Sequence, residues 1–458
     1  MLFTSPTFLF GFLPIVLLLY YLLPNKSKNT LLLLVSLIFY AWGELQYVWV
    51  LVASIISNYI FGRFIDKNRS HYYWLFIGVA FNLGLLFYFK YYGFVSNKPD
   101  SIHLPLGISF FTFQAISYLV DVKRQKAKVQ LNILNLGLYI SLFPQLIAGP
   151  IVRYNTIAKQ IKQRIHNTPL FVAGIERFTY GLAKKVLIAN ALGAVADPIF
   201  ALDNSQLSLS LSWLAIVCFS LQIYFDFSAY SDMAIGLGRM FGFQIQENFN
   251  YPYIATSIQD FWRRWHISLS TWFKDYLYIP LGGNRKGTMR TYFNLLLVFI
   301  LCGFWHGASW NFLVWGLLHG LFLIVERLGL AKFLQKAPRL FSRVYTLLVL
   351  MVTWVFFKIE NLSDALLFLK KMFYINHESI NVYSYHYFMN NYSIIALVSA
   401  LILATPIAKK YVTYYPDQFF KGSLIAVNMR MIFIVTLFFL SLIVISAATY
   451  NPFIYFRF

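Results

Sequence analysis

The chain has 458 residues, of which 59% are hydrophobic, 20% aromatic and only 12% charged. A soluble domain carries about twice that share of charge, so one water-exposed domain is excluded and the surplus apolar surface belongs in a bilayer. The net charge of +21 does not point to nucleic acid, because the basic residues sit in short clusters between apolar runs and not on one continuous face.

Apolar segments follow one another closely, near 7–23, 30–42, 45–62, 72–91, 103–120, 132–148, 170–196, 211–225 and 228–243. Further ones lie near 291–304, 309–328, 344–358, 393–412 and 430–450. The first, Phe8 to Leu23, has no basic leader and no small-residue cleavage site, so it reads as a retained membrane helix. A spanning helix needs about 20 apolar residues, and several of these runs are shorter. The pattern predicts an all-α polytopic membrane protein of about 11–13 helices, some re-entrant or interfacial. Tyr20–Tyr21, Tyr72–Trp74, Tyr88 to Tyr92 and Tyr411 to Tyr415 are aromatic clusters suited to headgroup depth. The basic clusters are Arg63, Lys67 and Arg69; Lys123, Arg124, Lys126 and Lys128; Lys159, Lys162 and Arg164; and Lys332, Lys336, Arg339 and Arg343. Cys218 and Cys302 lie in apolar runs and read as small core residues. No internal repeat is visible, so residues 1–458 read as one membrane-embedded domain.

The stretch at 244–290 differs from its surroundings by mixing Trp and Tyr with Arg, Lys, Asp and His. Thr256 or Ser257 is placed to cap a helix beginning near Ile258, with Asp260 in its first turn. Such an amphipathic helix is expected at the interface, so the segment at about 244–290 reads as interfacial or re-entrant. A turn is expected over Leu281 to Arg285, where Gly and Asn tolerate positive φ.

The strongest chemical signal is Cys302-Gly303-Phe304-Trp305-His306-Gly307-Ala308, an imidazole at the end of an apolar run. Ionisable groups at membrane depth are costly and are functional candidates, and a buried neutral imidazole accepts a proton. On a helix, Gly303 leaves space for a substrate or another helix. The competing reading is a structural histidine bonded to a carbonyl. His266 follows, in Trp262-Arg263-Arg264-Trp265-His266; a helical reading puts Trp262 and His266 on one face, and the competing reading is an interfacial helix whose arginines meet lipid phosphates. Asp226 and Asp232 flank Phe227 to Ser231. Asp232 reads as a cap for a helix near Met233, and Asp226 as a partner for Arg239, Arg263 or Arg264. His319 follows His306 at about 220° around an ideal helix, off its face, and reads as packing. His71, His103, His166, His377 and His386 carry no assignment, and no His, Cys and carboxylate set has metal spacing.

These motifs together resemble the membrane-bound O-acyltransferases, and within them the bacterial AlgI-type polysaccharide O-acetyltransferases. The resemblance runs from Phe8 to about Lys358 through Leu34 to Trp42, Tyr88 to Tyr91, Leu104 to Phe110, Phe143 to Pro150, Tyr224 to Gly238 and Phe261 to Arg285, and ends on Trp305 to Ala308. It implies a ring of membrane helices around a central funnel. It also implies catalytic roles for His306 and His266, with the family's paired aspartates falling on Asp226 and Asp232; Ala229 stands where the family pattern has Gly.

The implied reaction moves an acetyl group from a cytoplasmic donor, acetyl-CoA or another thioester, to a hydroxyl. Asp226, Asp232, Arg263, Arg264, Trp265, Lys274, Arg285, Trp305 and Asn311 are the candidates for binding donor or substrate. No bound cofactor or metal is expected. An SGNH-like partner outside the cytoplasmic membrane is expected to pass the acetyl group to an alginate-like polysaccharide, or to peptidoglycan; membrane lipids are the other contacts. A secondary transporter and a scaffold without chemistry are the alternatives from other classes.

Overall fold

The computed structural model describes residues 1–98, 102–374, 383–407, 424–447 and 450. His377, the Tyr411 to Tyr415 cluster and the end of the apolar segment at 393–412 lie outside the described residues. Among those described, the regular structure is entirely helical. Seven helices are long and apolar enough to cross a membrane: Lys28–Lys67, Tyr73–Val95, Leu209–Met240, Thr288–His306, Trp310–Lys336, Arg339–Lys358 and Ile425–Ala447. Thr7–Leu22 and Asn391–Leu403 are shorter apolar helices.

The Lys28–Lys67 stretch is too long to cross once, since 40 residues span about 60 Å. It bends at Glu44 (φ −139°, ψ 45°) and doubles back. Asn29 donates to Asn135 and to the carbonyl of Ile161, while Tyr59 donates to the carbonyl of Leu131, so both legs end at one level.

The two apolar segments expected at 211–225 and 228–243 form one 32-residue helix, Leu209–Met240, capped by Ser208. Nothing between them breaks a helix, and the polar side chains that suggested a junction find partners on the neighbouring chain at 168–200. Gly174 and Gly236 let these two backbones touch, because a methyl on either would press on the carbonyl oxygen of the other.

Hydrogen bonds gather the basic clusters at one end of the bundle. Lys123 donates to the carbonyls of Arg69 and His71 at 2.5 and 2.7 Å, and Arg124 to that of Asp275 at 2.9 Å. Arg153 pairs with Asp275 at 2.5 Å, and Gln160 bonds the backbone of Gln244. The Lys28–Glu44 and Arg339–Lys358 helices run from this end to the other, where Glu44 meets His103 and Lys358 meets Asp197.

Candidate active site

The Thr288–His306 helix ends on His306, and Ser309 caps the next helix, Trp310–Val325. The two antiparallel helices cross at Gly303 and Gly316. A methyl on Gly303 would overlap the carbonyl of Phe312, and one on Gly316 that of Phe299. The space beside Gly303 is therefore filled by a helix. This contact delivers His306 into the bundle, 2% exposed. Its ring lies 5.0 Å from Trp305, 5.0 Å from Trp315 and 5.4 Å from Phe357. His319 lies beyond Trp315, 4.9 Å away, and its Nδ1 accepts the indole N–H of Trp262 at 3.2 Å. That bond fits the packing role expected of it.

The stretch after Met240 builds the other side. Ser257 caps the short helix Ile258–Arg264, and the Glu326 carboxylate accepts the backbone N–H groups of Ile258 and Gln259 at 2.6 and 3.0 Å. The helix stops at Trp265, and His266 takes a left-handed conformation (φ 43°, ψ 54°) before a second helix, Ile267–Phe273. Trp262 and His266 thus do not share a helical face. The backbone is drawn off the helix because Asn250 N–H bonds the Arg264 carbonyl and Ile267 N–H bonds that of Asn248, both at 2.9 Å. Within the 244–290 stretch, Gln244 and Asp275 meet the basic end of the bundle, while His266 between them is fully buried.

Asn248 and Ser268 orient His266, with the Ser268 hydroxyl 3.4 Å from its Nδ1. The Oδ1 of Asn248 lies 3.2 Å from His266 Nδ1 and accepts from the Ser268 backbone N–H at 3.1 Å and the Ser268 hydroxyl at 2.9 Å. An amide oxygen only accepts, so the proton of neutral His266 sits on Nδ1 and Nε2 keeps its lone pair. The His266 ring is 6.3 Å from that of Trp305, which in turn contacts His306. The structure thus brings His266, Trp305 and His306 together from segments 40 residues apart in the chain.

The remaining candidates divide. Among the described residues Asp226 forms its ion pair with Lys185 at 2.7 Å, in place of the arginine expected. Asp232 caps no helix; it sits inside Leu209–Met240, between Arg177 at 2.5 Å and Lys184 at 2.7 Å, and Arg177 reaches on to Glu247. These are buried ion pairs supported from two helices, the arrangement that offsets the cost of burying charge. Arg263 and Lys274 line one cavity of about 210 Å³ with Trp262 and Cys302. Arg264 faces elsewhere, toward Asp260 at 2.9 Å, and Arg285 is exposed in the turn. Trp265 stacks on Phe261. Asn311 ties its helix to the Ile359 carbonyl at 2.5 Å. Among the described residues no three His, Cys, Asp or Glu side chains gather at metal-binding spacing.

A second cavity, of about 680 Å³, runs between the Leu209–Met240 helix and the apolar Leu437, Leu440 and Ile443. Asp232, Lys184 and Asn248 line it, so its wall stands one hydrogen bond from His266. Asn248 is the site residue that sequence reasoning passed over, and its local signal is a polar residue in an aromatic run.

The sequence profile of the membrane-bound O-acyltransferase family matches residues 27–363. The chain belongs to that family. This O-acyltransferase is 38% identical to a probable alginate O-acetylase AlgI of Pseudomonas putida, with both chains covered in full. It is 41% identical to a peptidoglycan O-acetyltransferase of Helicobacter pylori, over 83% of this chain and 81% of that one. A teichoic acid D-alanyltransferase of Bacillus subtilis is 30% identical over 59% of this chain and 71% of its own length. The acyltransferase is accordingly a multi-pass membrane protein whose reaction passes an acyl group to an acceptor, which leaves no place for the transporter and scaffold alternatives.

Proposed function

We propose that His306 is the general base of an acetyl transfer to a hydroxyl, with His266 orienting the reactants beside it. The observation that carries this reading is the convergence of the two buried imidazoles on Trp305. In the reaction, His306 removes the acceptor's hydroxyl proton as its oxygen attacks the carbonyl carbon of an acyl thioester. The tetrahedral intermediate collapses, the C–S bond breaks, and the leaving thiolate takes the proton from the imidazolium. An ester and a free thiol result. General-base assistance of this kind contributes about 10²–10⁴-fold. No covalent enzyme intermediate is required, and both cysteines are buried within helices.

The protein sits in the cytoplasmic membrane with its basic end toward the cytoplasm, as the positive-inside rule directs. Arg263 and Lys274 then place their cavity on the donor side, where cations suit the phosphates of acetyl-CoA. His306 ends a helix of 19 residues that starts at that end, so it lies about 28 Å across, toward the acceptor side. The acceptor is an extracytoplasmic polysaccharide of alginate type, reached through an SGNH-like partner. Peptidoglycan is the second reading, favoured by the similarity to the Helicobacter pylori enzyme. The test is His306→Ala in the native cell, with envelope polymers assayed for ester-linked acetate. Loss of acetate at normal protein level supports the assignment; unchanged acetate refutes it. Which polymer loses its acetate separates the two acceptors.

A further inference from the structure

Lys90 is a basic side chain inside the Tyr73–Val95 span, 9% exposed, and none of the ion pairs among the described residues includes it. Its ammonium donates to the carbonyl oxygen of Trp305 at 2.5 Å and to the Ser109 hydroxyl at 3.0 Å, and lies 5.6 Å from the centre of the Trp305 ring. The next residue repeats the contact. The Tyr91 hydroxyl donates to the carbonyl of Phe304 at 3.0 Å, and its ring stacks on that of Phe304 at 4.0 Å.

The last carbonyls of a helix have no partner within it. Here the carbonyl of Gly303 accepts from Gly307 N–H, that of Phe304 from Tyr91, and that of Trp305 from Lys90. The turn that carries His306 is thus held at three consecutive carbonyls. Ser109 joins the clamp to the Ile108–Lys123 helix, whose Phe110 and Phe113 rings also pack on Trp305, at 5.5 and 5.3 Å. A neutral donor would satisfy the same oxygens. An ammonium without a carboxylate costs several kcal/mol to bury, yet Lys90 stands here, bonded to the carbonyl of the residue that precedes His306.

We infer that Lys90 is a positioning residue for His306 whose charge also offsets the negative charge that develops on the carbonyl oxygen during acyl transfer. Two functions meet in one side chain: hydrogen bonds fix the turn, and the cation favours the tetrahedral species beside a buried His306. This inference rests on the reading of His306 as the base.

The experiment uses the full chain in proteoliposomes with acetyl-CoA as donor, and compares Lys90→Gln, Lys90→Arg and Tyr91→Phe with the parent. Lys90→Gln keeps a hydrogen-bond donor and removes the charge. It is expected to lower kcat by about 10²-fold while the KM for acetyl-CoA stays within about twofold. Lys90→Arg, which keeps the charge, is expected to recover most of that loss. Tyr91→Phe removes a neutral bond from the same turn, and is expected to cost less than about tenfold in kcat. A Lys90→Gln protein with parental kcat overturns the inference, as does a loss that Lys90→Arg leaves unrepaired. If His306→Ala is also fully active, the base assignment itself fails; if it is inactive while Lys90→Gln is not, only the role of Lys90 fails.

Discussion

Asn248 sets the tautomer of His266. Its Oδ1 lies 3.2 Å from Nδ1 and is held in place by two bonds from Ser268. Asn248→Leu removes that acceptor, leaving His266 Nδ1 with only the Ser268 hydroxyl at 3.4 Å and the buried Ser268 N–H without its partner, a penalty of about 1–3 kcal/mol that frees the ring to turn. The expected outcome is a fall of about tenfold or more in acetylation. Asn248→Asp, which still accepts from Nδ1, should retain more activity than Asn248→Leu at equal protein level. Acetyl-ester content of the envelope for the two variants checks the order.

The Asp232 cluster is a stability element. Replacing Asp232 by Leu leaves Arg177 and Lys184 without their shared carboxylate, and losing one partner of a buried ion pair costs about 3–5 kcal/mol. Asp232→Leu should therefore lower the melting temperature in detergent and the amount of protein in the membrane. For the Asp226–Lys185 pair, replacing both residues by leucine should cost less than replacing Asp226 alone, because no charge is then stranded. A double-mutant cycle on thermal stability measures the difference.

Gly303 and Gly316 bring two backbones into contact one turn before His306. Gly303→Ala pushes a methyl into the Phe312 carbonyl, and overpacking of this kind costs about 1–3 kcal/mol. It should also shift His306, so acetylation is expected to fall by more than the protein level does. Equal falls would assign the crossing to stability alone.

Orientation is open to a direct check. Lys126 lies in a basic loop and Glu360 at the opposite end, and both are exposed. The native cysteines, Cys218 and Cys302, are buried and give little background. Lys126→Cys should react with an impermeant maleimide only after the membrane is opened, and Glu360→Cys in intact cells. The reverse pattern would invert the proposed topology.

What the sequence made legible follows from the range of the interactions involved. Long apolar runs, the cap at Ser257 and the isolated imidazole at His306 are local features, and the helices and the site centre follow from them. The partners of Asp226 and Asp232 lie 41 to 55 residues away on another helix, and no spacing rule reaches that far. The break at Trp265 is invisible locally, since nothing in Trp262 to His266 stops a helix; it comes from backbone bonds to Asn248 and Asn250. Asn248 was missed for the same reason, as it matters through a residue farther along the chain.

The central claim is that His306 takes the proton from the acceptor hydroxyl. The most direct measurement is acetyl transfer by purified His306→Gln protein in proteoliposomes with acetyl-CoA as donor, alongside donor binding to the same sample. The account predicts that transfer falls by about 10²–10⁴-fold while donor binding is kept. Transfer at the parental rate would contradict it.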